Sequence, residues 1–166
     1  MPFVDLALEQ IRFARRYTQR LLEQTPRDDW FRQPQEGVSH IAWQVGHLAM
    51  AQYRLALERL RGDRPEDGQL ISAEFLQTFG KGSAPGCDRA SYPPVDEIVA
   101  VFDRVYAQTE RELPGYDDLA LEAAPLKPHS LFDTKRGALL WCSQHEMLHA
   151  GQIGLLRRLL GHSPLW

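Results

Sequence analysis

The chain has 166 residues, of which 43% are hydrophobic and 25% charged, with a formal net charge of -3 and a pI of about 6.1. That composition suits one folded domain, 1–166, with a real core, and excludes a disordered chain. No basic block offers a nucleic-acid footprint, no stretch has the apolar length of a membrane span, and two cysteines, Cys87 and Cys142, make no disulfide framework.

The first segment, 3–24, places Phe3, Leu6, Ala7, Phe13, Ala14, Tyr17 and Leu21 at helical spacing and breaks at Pro26. Charges at Asp5, Glu9 and Arg12 interrupt any signal-peptide core, so the expected location is a reducing cytoplasm. Arg15, Arg16, Arg157 and Arg158 read as solvated helix faces. Ser39, after Gly37, is the expected N-cap of a second helix that runs through HIAWQVGHLAMAQYRLALERLRG to Gly62. Its middle is apolar nearly all round, which predicts deep burial.

Residues 62–94, with FGKGSAPGCDRASYPP, read as a long loop holding a short helical turn around SAEFLQTF. Such a loop either covers a site or simply caps the fold. Pro94 opens a third helix, with a stripe of Val95, Ile98, Val99, Phe102, Val105, Tyr106, Thr109 and Leu113. Pro114 and Gly115 end it, and a second connection, 114–133, has no clear period. Thr134 is the expected N-cap of the last helix and Gly161 its terminator. Four long helices with no convincing strand predict an all-α four-helix bundle with long loops after helices two and three.

The last helix carries a polar hole in its apolar stripe. Ala138, Trp141, Cys142, His145, Leu148, His149, Gln152, Leu156 and Leu159 are expected on one broad face, and its middle holds two imidazoles and an amide. Buried imidazoles need partners, and a metal ion satisfies two at once. His47 lies in the apolar centre of helix two, and Gly46 lets another helix come close beside it. His47, His145 and His149 would together give three neutral nitrogens with positions left open for water or substrate.

The stretch His145–His149 also has the form H-E-x-x-H of zinc proteases. The metzincin continuation fails at Gln152 and Leu155, and no Asp or Glu follows Glu146 to supply a later ligand. A third ligand must come from upstream, where His47 fits best. A di-iron bundle would need a second Glu-x-x-His, and none exists. Glu146, about 100° round the helix from His145, is a candidate to reach a metal-held water; it is equally a surface carboxylate or an arginine's salt-bridge partner.

The stretches IAWQVGHLA, FGKGSAP and HEMLHAGQIGLLRRLLG and the closing SPLW resemble, in order and over essentially the whole chain, the DinB/YfiT-like superfamily of metal-binding four-helix bundles. The resemblance implies a histidine triad on His47, His145 and His149, a divalent metal such as zinc or nickel, and in many members a homodimer. Characterised relatives of that kind include bacillithiol transferases and mycothiol-dependent isomerases, and others are described as metal-dependent hydrolases. The implied chemistry is activation of a low-molecular-weight thiol, or of water, against a small-molecule substrate; neither DNA binding nor membrane attachment is implied. Gln152 is expected to support a ligand histidine or a water by hydrogen bonding.

Among the remaining residues, Cys142 reads first as packing, with ligand or redox roles open, and Cys87 as an exposed thiol. Trp43, Tyr53 and Trp141 read as core, and His40 and His162 as surface. His129 reaches the site only if its loop folds inward. The rivals to a metalloenzyme are a metal-bearing bundle without turnover, and a metal-free bundle whose histidines pair with each other and with Gln152.

Overall fold

Helix α1 (Phe3–Glu23) turns one face inward through Val4, Ala7, Leu8, Ile11, Ala14, Arg15, Thr18 and Leu21, spaced three and four apart. Its first free backbone N–H, at Phe3, donates to the Asp118 carboxylate at 2.8 Å. In this computed structural model the described residues are 1–86 and 88–165; Cys87 and the last residue of SPLW, Trp166, lie outside them.

The chain breaks at Pro26 and buries Trp30 before entering α2 (Ile41–Gln52). The N-cap is His40, not Ser39: the His40 Nδ1 accepts the Trp43 N–H at 3.1 Å. The expectation that His40 is exposed is overturned too. It is fully buried, packed beside the rings of Phe31 and Tyr92, and this packing fixes its imidazole over the first turn. Helix α2 is buried almost all round, as its composition predicts. It continues through a π-helical segment, Tyr53–Glu58, and a last turn, Arg59–Arg61, before Gly62 stops it with φ +84°.

Two short helices, α3 (Asp67–Leu70) and α4 (Ala73–Thr78), occupy the long connection; α4 matches the expected turn, and Ser72 caps it. Arg61 ties this segment down, pairing with Asp67 at 2.8 Å and with Glu112 of the next long helix at 2.7 Å. Helix α5 (Val95–Glu112) follows Pro94. A short α6 (Asp118–Leu121) lies in the connection expected to be irregular. Helix α7 (Lys135–Leu159) starts where Thr134 accepts the Gly137 N–H at 3.0 Å, and Gly161 follows it with φ +96°.

Helix α1 packs along α7 and α2 along α5, with α2 also crossing α7. The result is the predicted all-α bundle, with no strand among the described residues, and none of its helices is long and apolar enough to cross a membrane. Arg15 and Arg157 are not solvated. Arg15 is 1% exposed at the centre of the bundle, and Arg157, also buried, donates to Thr25 and to the Gln24 carbonyl at the end of α1. Each has an internal acceptor, which is the condition for burying a guanidinium.

Candidate metal centre

The α2–α7 crossing brings His47 against His145 and His149. Ring centroids lie 5.3 Å apart for His47 and His145, 4.8 Å for His47 and His149, and 4.5 Å for His145 and His149. One ring nitrogen from each lies within 4.8 Å of the other two, and none of the three residues is exposed.

Two of the rings have their tautomers fixed. His47 Nδ1 is 2.8 Å from the Phe79 carbonyl, and His149 Nδ1 meets the Gln44 side-chain oxygen. Both partners only accept, so each Nδ1 carries the proton and each Nε2 keeps its lone pair for a metal. Trp43 stacks on His47 with centroids 4.7 Å apart, holding the ring plane. Burial lowers the pKa of all three imidazoles, His145 to about 4 and His149 to about 3, with neighbouring imidazoles adding to the shift of these two and Arg54 adding to that of His47. They are therefore neutral near pH 7, the form in which histidine ligates. Three neutral imidazole nitrogens, two aimed by oxygen partners, form a donor set that fits a divalent cation of the zinc or nickel kind.

Gly46 does open space beside His47, but for a ring and not for a helix. A Cβ there would lie 2.4 Å from the Phe79 side chain. The same Phe79 supplies the carbonyl for His47, so the 62–94 connection is part of the site's support.

Glu146 faces away from the histidine cluster. It is 4% exposed and pairs with Arg15, Nε to Oε1, at 2.9 Å. Arg15 also donates to the Gln52 side chain at 2.6 Å and to the Phe102 carbonyl at 3.1 Å, and its guanidinium lies 3.4 Å from the Phe102 ring centroid. Of the roles open to Glu146 in the sequence, the one the structure holds is salt-bridge partner, joining α1 to α7.

The inward face of α7 runs through Ala138, Leu139, Cys142, Ser143, Glu146, Ala150, Ile153, Leu156 and Arg157, so the histidines sit at its edge. Gln152, three residues past His149, falls outside that face and is exposed, as are Leu148 and Leu159. The amide beside His149 is that of Gln44. Its signal was present in the sequence: a lone polar residue in an apolar run, one turn before His47.

Cys142 is buried, its thiol pushed up to about 12 by burial and by Glu146, and it lies outside the three-histidine cluster. Tyr53 is core, whereas Trp141 is partly buried and lines the cleft beside the site. His162 is not a free surface residue but bonds Asp29 at 2.8 Å. The 114–133 connection does fold inward: His129, stacked on Phe132, joins His47, His145, Trp141 and Met50 around a cleft of about 650 Å³. Arg54, Arg59 and Lys81 complete its polar wall, and no Asp or Glu lines it among the described residues.

An all-α bundle that converges three imidazoles from two helices beside an open cleft belongs to the class of helical proteins able to hold a metal ion between helices. Residues 10–153 match the DinB superfamily, and the chain belongs to that superfamily. It is also similar in fold, with a TM-score of 0.66 and 17% identity over 96% of this chain and 97% of the other, to a conserved protein from Enterococcus faecalis known from its crystal structure. No curated protein matches it.

Proposed function

We propose that this protein is a metal-dependent enzyme in which His47, His145 and His149 hold a divalent ion, zinc or nickel, and that its reaction is the transfer of a low-molecular-weight thiol to a small electrophilic substrate. The observation that carries the reading is the convergence of three neutral imidazoles beside a cleft with no carboxylate in its wall. An ion held by neutral ligands keeps its full charge and lowers the pKa of a coordinating thiol. A thiol, with an ordinary pKa of about 8.5, needs only a small push toward the thiolate at neutral pH. Water needs more help, and the one carboxylate of the H-E-x-x-H stretch is engaged by Arg15. Thiol transfer is therefore favoured over hydrolysis.

The residues of this chain have separate tasks in that reading. Phe79 and Gln44 orient two ligands, Trp43 and Trp141 wall the site, and the 114–133 connection narrows access through His129. A reducing cytoplasm suits the free Cys142. A homodimer suits the exposed Leu6, Phe13 and Leu148, which line one apolar groove between α1 and α7.

The test is elemental analysis of untagged protein, followed by a thiol-transfer screen. Near-stoichiometric metal in wild type, lost in His47→Ala and in His145→Ala, is the expected result. Metal retained in His47→Ala would overturn the ligand set, and absence of metal after zinc or nickel is added back would overturn the enzyme reading.

A further inference from the structure

We infer that the thiol bound beside the histidine cluster carries an oxyanion, a carboxylate in the simplest case, which Arg54, Arg59 and Lys81 receive. This assignment rests on the metal-site reading above and extends it to the class of substrate.

The cleft that opens on His47 and His145 holds these three cations in its wall and no acidic residue among the described ones. Glu58 favours the charged form of Arg59, but from beyond ion-pair distance. The nearest charged neighbour of Arg59 in sequence, Glu58, is taken by Lys127 at 2.8 Å, which Asp63 shares at 3.2 Å. No ion pair involves Arg54, Arg59 or Lys81 among the described residues. Arg59 spends Nη1 on the Arg54 carbonyl at 3.1 Å, while its buried Nε has no hydrogen-bond partner. Only Nη1 of its terminal donors is spent, so Nη2 remains to meet a carboxylate oxygen.

The backbone explains why two arginines share this wall. In an α-helix, at 100° per residue, positions five apart diverge by roughly 140°. The segment Tyr53–Glu58 is π-helical, and its i→i+5 pattern brings residues five apart toward one side. Arg54 and Arg59 are such a pair. The wider turn therefore has a local consequence: it places a second guanidinium beside the first, on the helix that also carries His47. Lys81 approaches from the connection after α4, two residues beyond the Phe79 that orients His47. Cation and ligand positions are thus set by the same two segments.

The experiment uses cobalt(II)-loaded full-length protein and two matched thiols, 3-mercaptopropionate and its neutral methyl ester. Both offer sulfur, and only one offers a carboxylate. Thiol binding is read from the cobalt absorption spectrum, independently of turnover. A hydrogen-bonded charge pair of this kind is worth about a factor of ten or more in affinity. The free acid should therefore bind wild type at least about tenfold more tightly than the ester. Arg59→Gln and Arg54→Gln should each remove most of that preference, and Lys81→Gln part of it, with ester binding unchanged. Lys81 is exposed, so its variant keeps the comparison valid if an arginine variant fails to fold. Equal binding of acid and ester, or binding of neither by cobalt-loaded protein, would overturn the anion assignment while the metal site stands. Failure of the protein to take up cobalt would remove the metal reading itself and this inference with it.

Discussion

Gln44 and His149 meet across the crossing of α2 and α7, the imidazole Nδ1–H donating to the amide oxygen of a glutamine that is 2% exposed. The contact fixes which nitrogen of His149 faces the cluster, and it ties the two ligand-bearing helices together at the level of the site. Removing the acceptor leaves a buried N–H unpaired and frees the ring to rotate. Gln44→Leu should lower metal affinity about 10–100-fold, the usual consequence of losing such a partner. Gln44→Glu should retain or raise it. Competition against a chelator of known affinity measures both. Unchanged affinity in Gln44→Leu would show that the ring is held by other means.

The buried pair Arg15–Glu146 predicts a stability effect where a zincin-like reading predicts a catalytic one. Removing one member leaves an uncompensated buried charge, at a cost of about 3–5 kcal/mol. Glu146→Ala and Arg15→Met should each show that loss in urea unfolding of metal-free protein. The double variant Arg15→Met/Glu146→Leu should recover much of it, because no charge is then stranded. The Glu146 variants that fold should still bind metal, since this carboxylate contacts none of the three histidines. A Glu146→Gln protein of wild-type stability but without turnover would restore the catalytic role.

Gly46→Ala tests the packing of Phe79 against α2. The added Cβ would fall 2.4 Å from the Phe79 ring, so the ring must move or the helices must part. Overpacking of this kind costs about 1–3 kcal/mol. Because the Phe79 carbonyl orients His47, metal affinity should fall together with the melting temperature. Phe79→Leu in the Gly46→Ala background should restore part of both. A variant that loses stability and keeps wild-type metal affinity would separate the ring's packing from the carbonyl's position.

The long helices could be read from the sequence because their apolar spacing and their terminal signals agree. Thr134 and Gly161 bracket α7 as expected, and Gly62 stops α2. The rotation of α7 about its own axis could not be read the same way. Hydropathy places Glu146 outside and Leu148 inside, and both are reversed in the fold. The reason is that Glu146 is neutralised by Arg15, 131 residues earlier, and no local pattern reports such a partner. His145 and His149 still meet His47 despite that rotation, because they lie at the edge shared by the expected and the actual face of α7. Gln152 does not, lying on the solvent side of that edge, and the supporting amide comes from another helix. The π-helical turn also escaped, since nothing in YRLALE distinguishes it from an ordinary helical sequence.

His40 gives a pH dependence with a definite sign. Burial lowers its pKa to about 4, against about 6.5 in an unfolded chain, with the nearby backbone of Trp30 and Gly86 opposing only part of the shift. Between these two values the unfolded state binds the extra proton and the folded state does not. Stability from this group is therefore complete above about pH 6.5 and is lost progressively as the pH falls toward 4. Protonation would also remove the Nδ1 lone pair that accepts the Trp43 N–H, uncapping α2 seven residues before His47. Asn caps helices well without titrating. His40→Asn should thus lose some stability at every pH through lost packing against Phe31 and Tyr92, yet show a shallower decline between pH 6.5 and 4 than wild type. The metal-free protein is the right material, compared by urea midpoints at several pH values. The site histidines then contribute the same background slope to both proteins, and the difference isolates His40. Parallel pH profiles would mean that His40 titrates normally and that the cap survives its protonation.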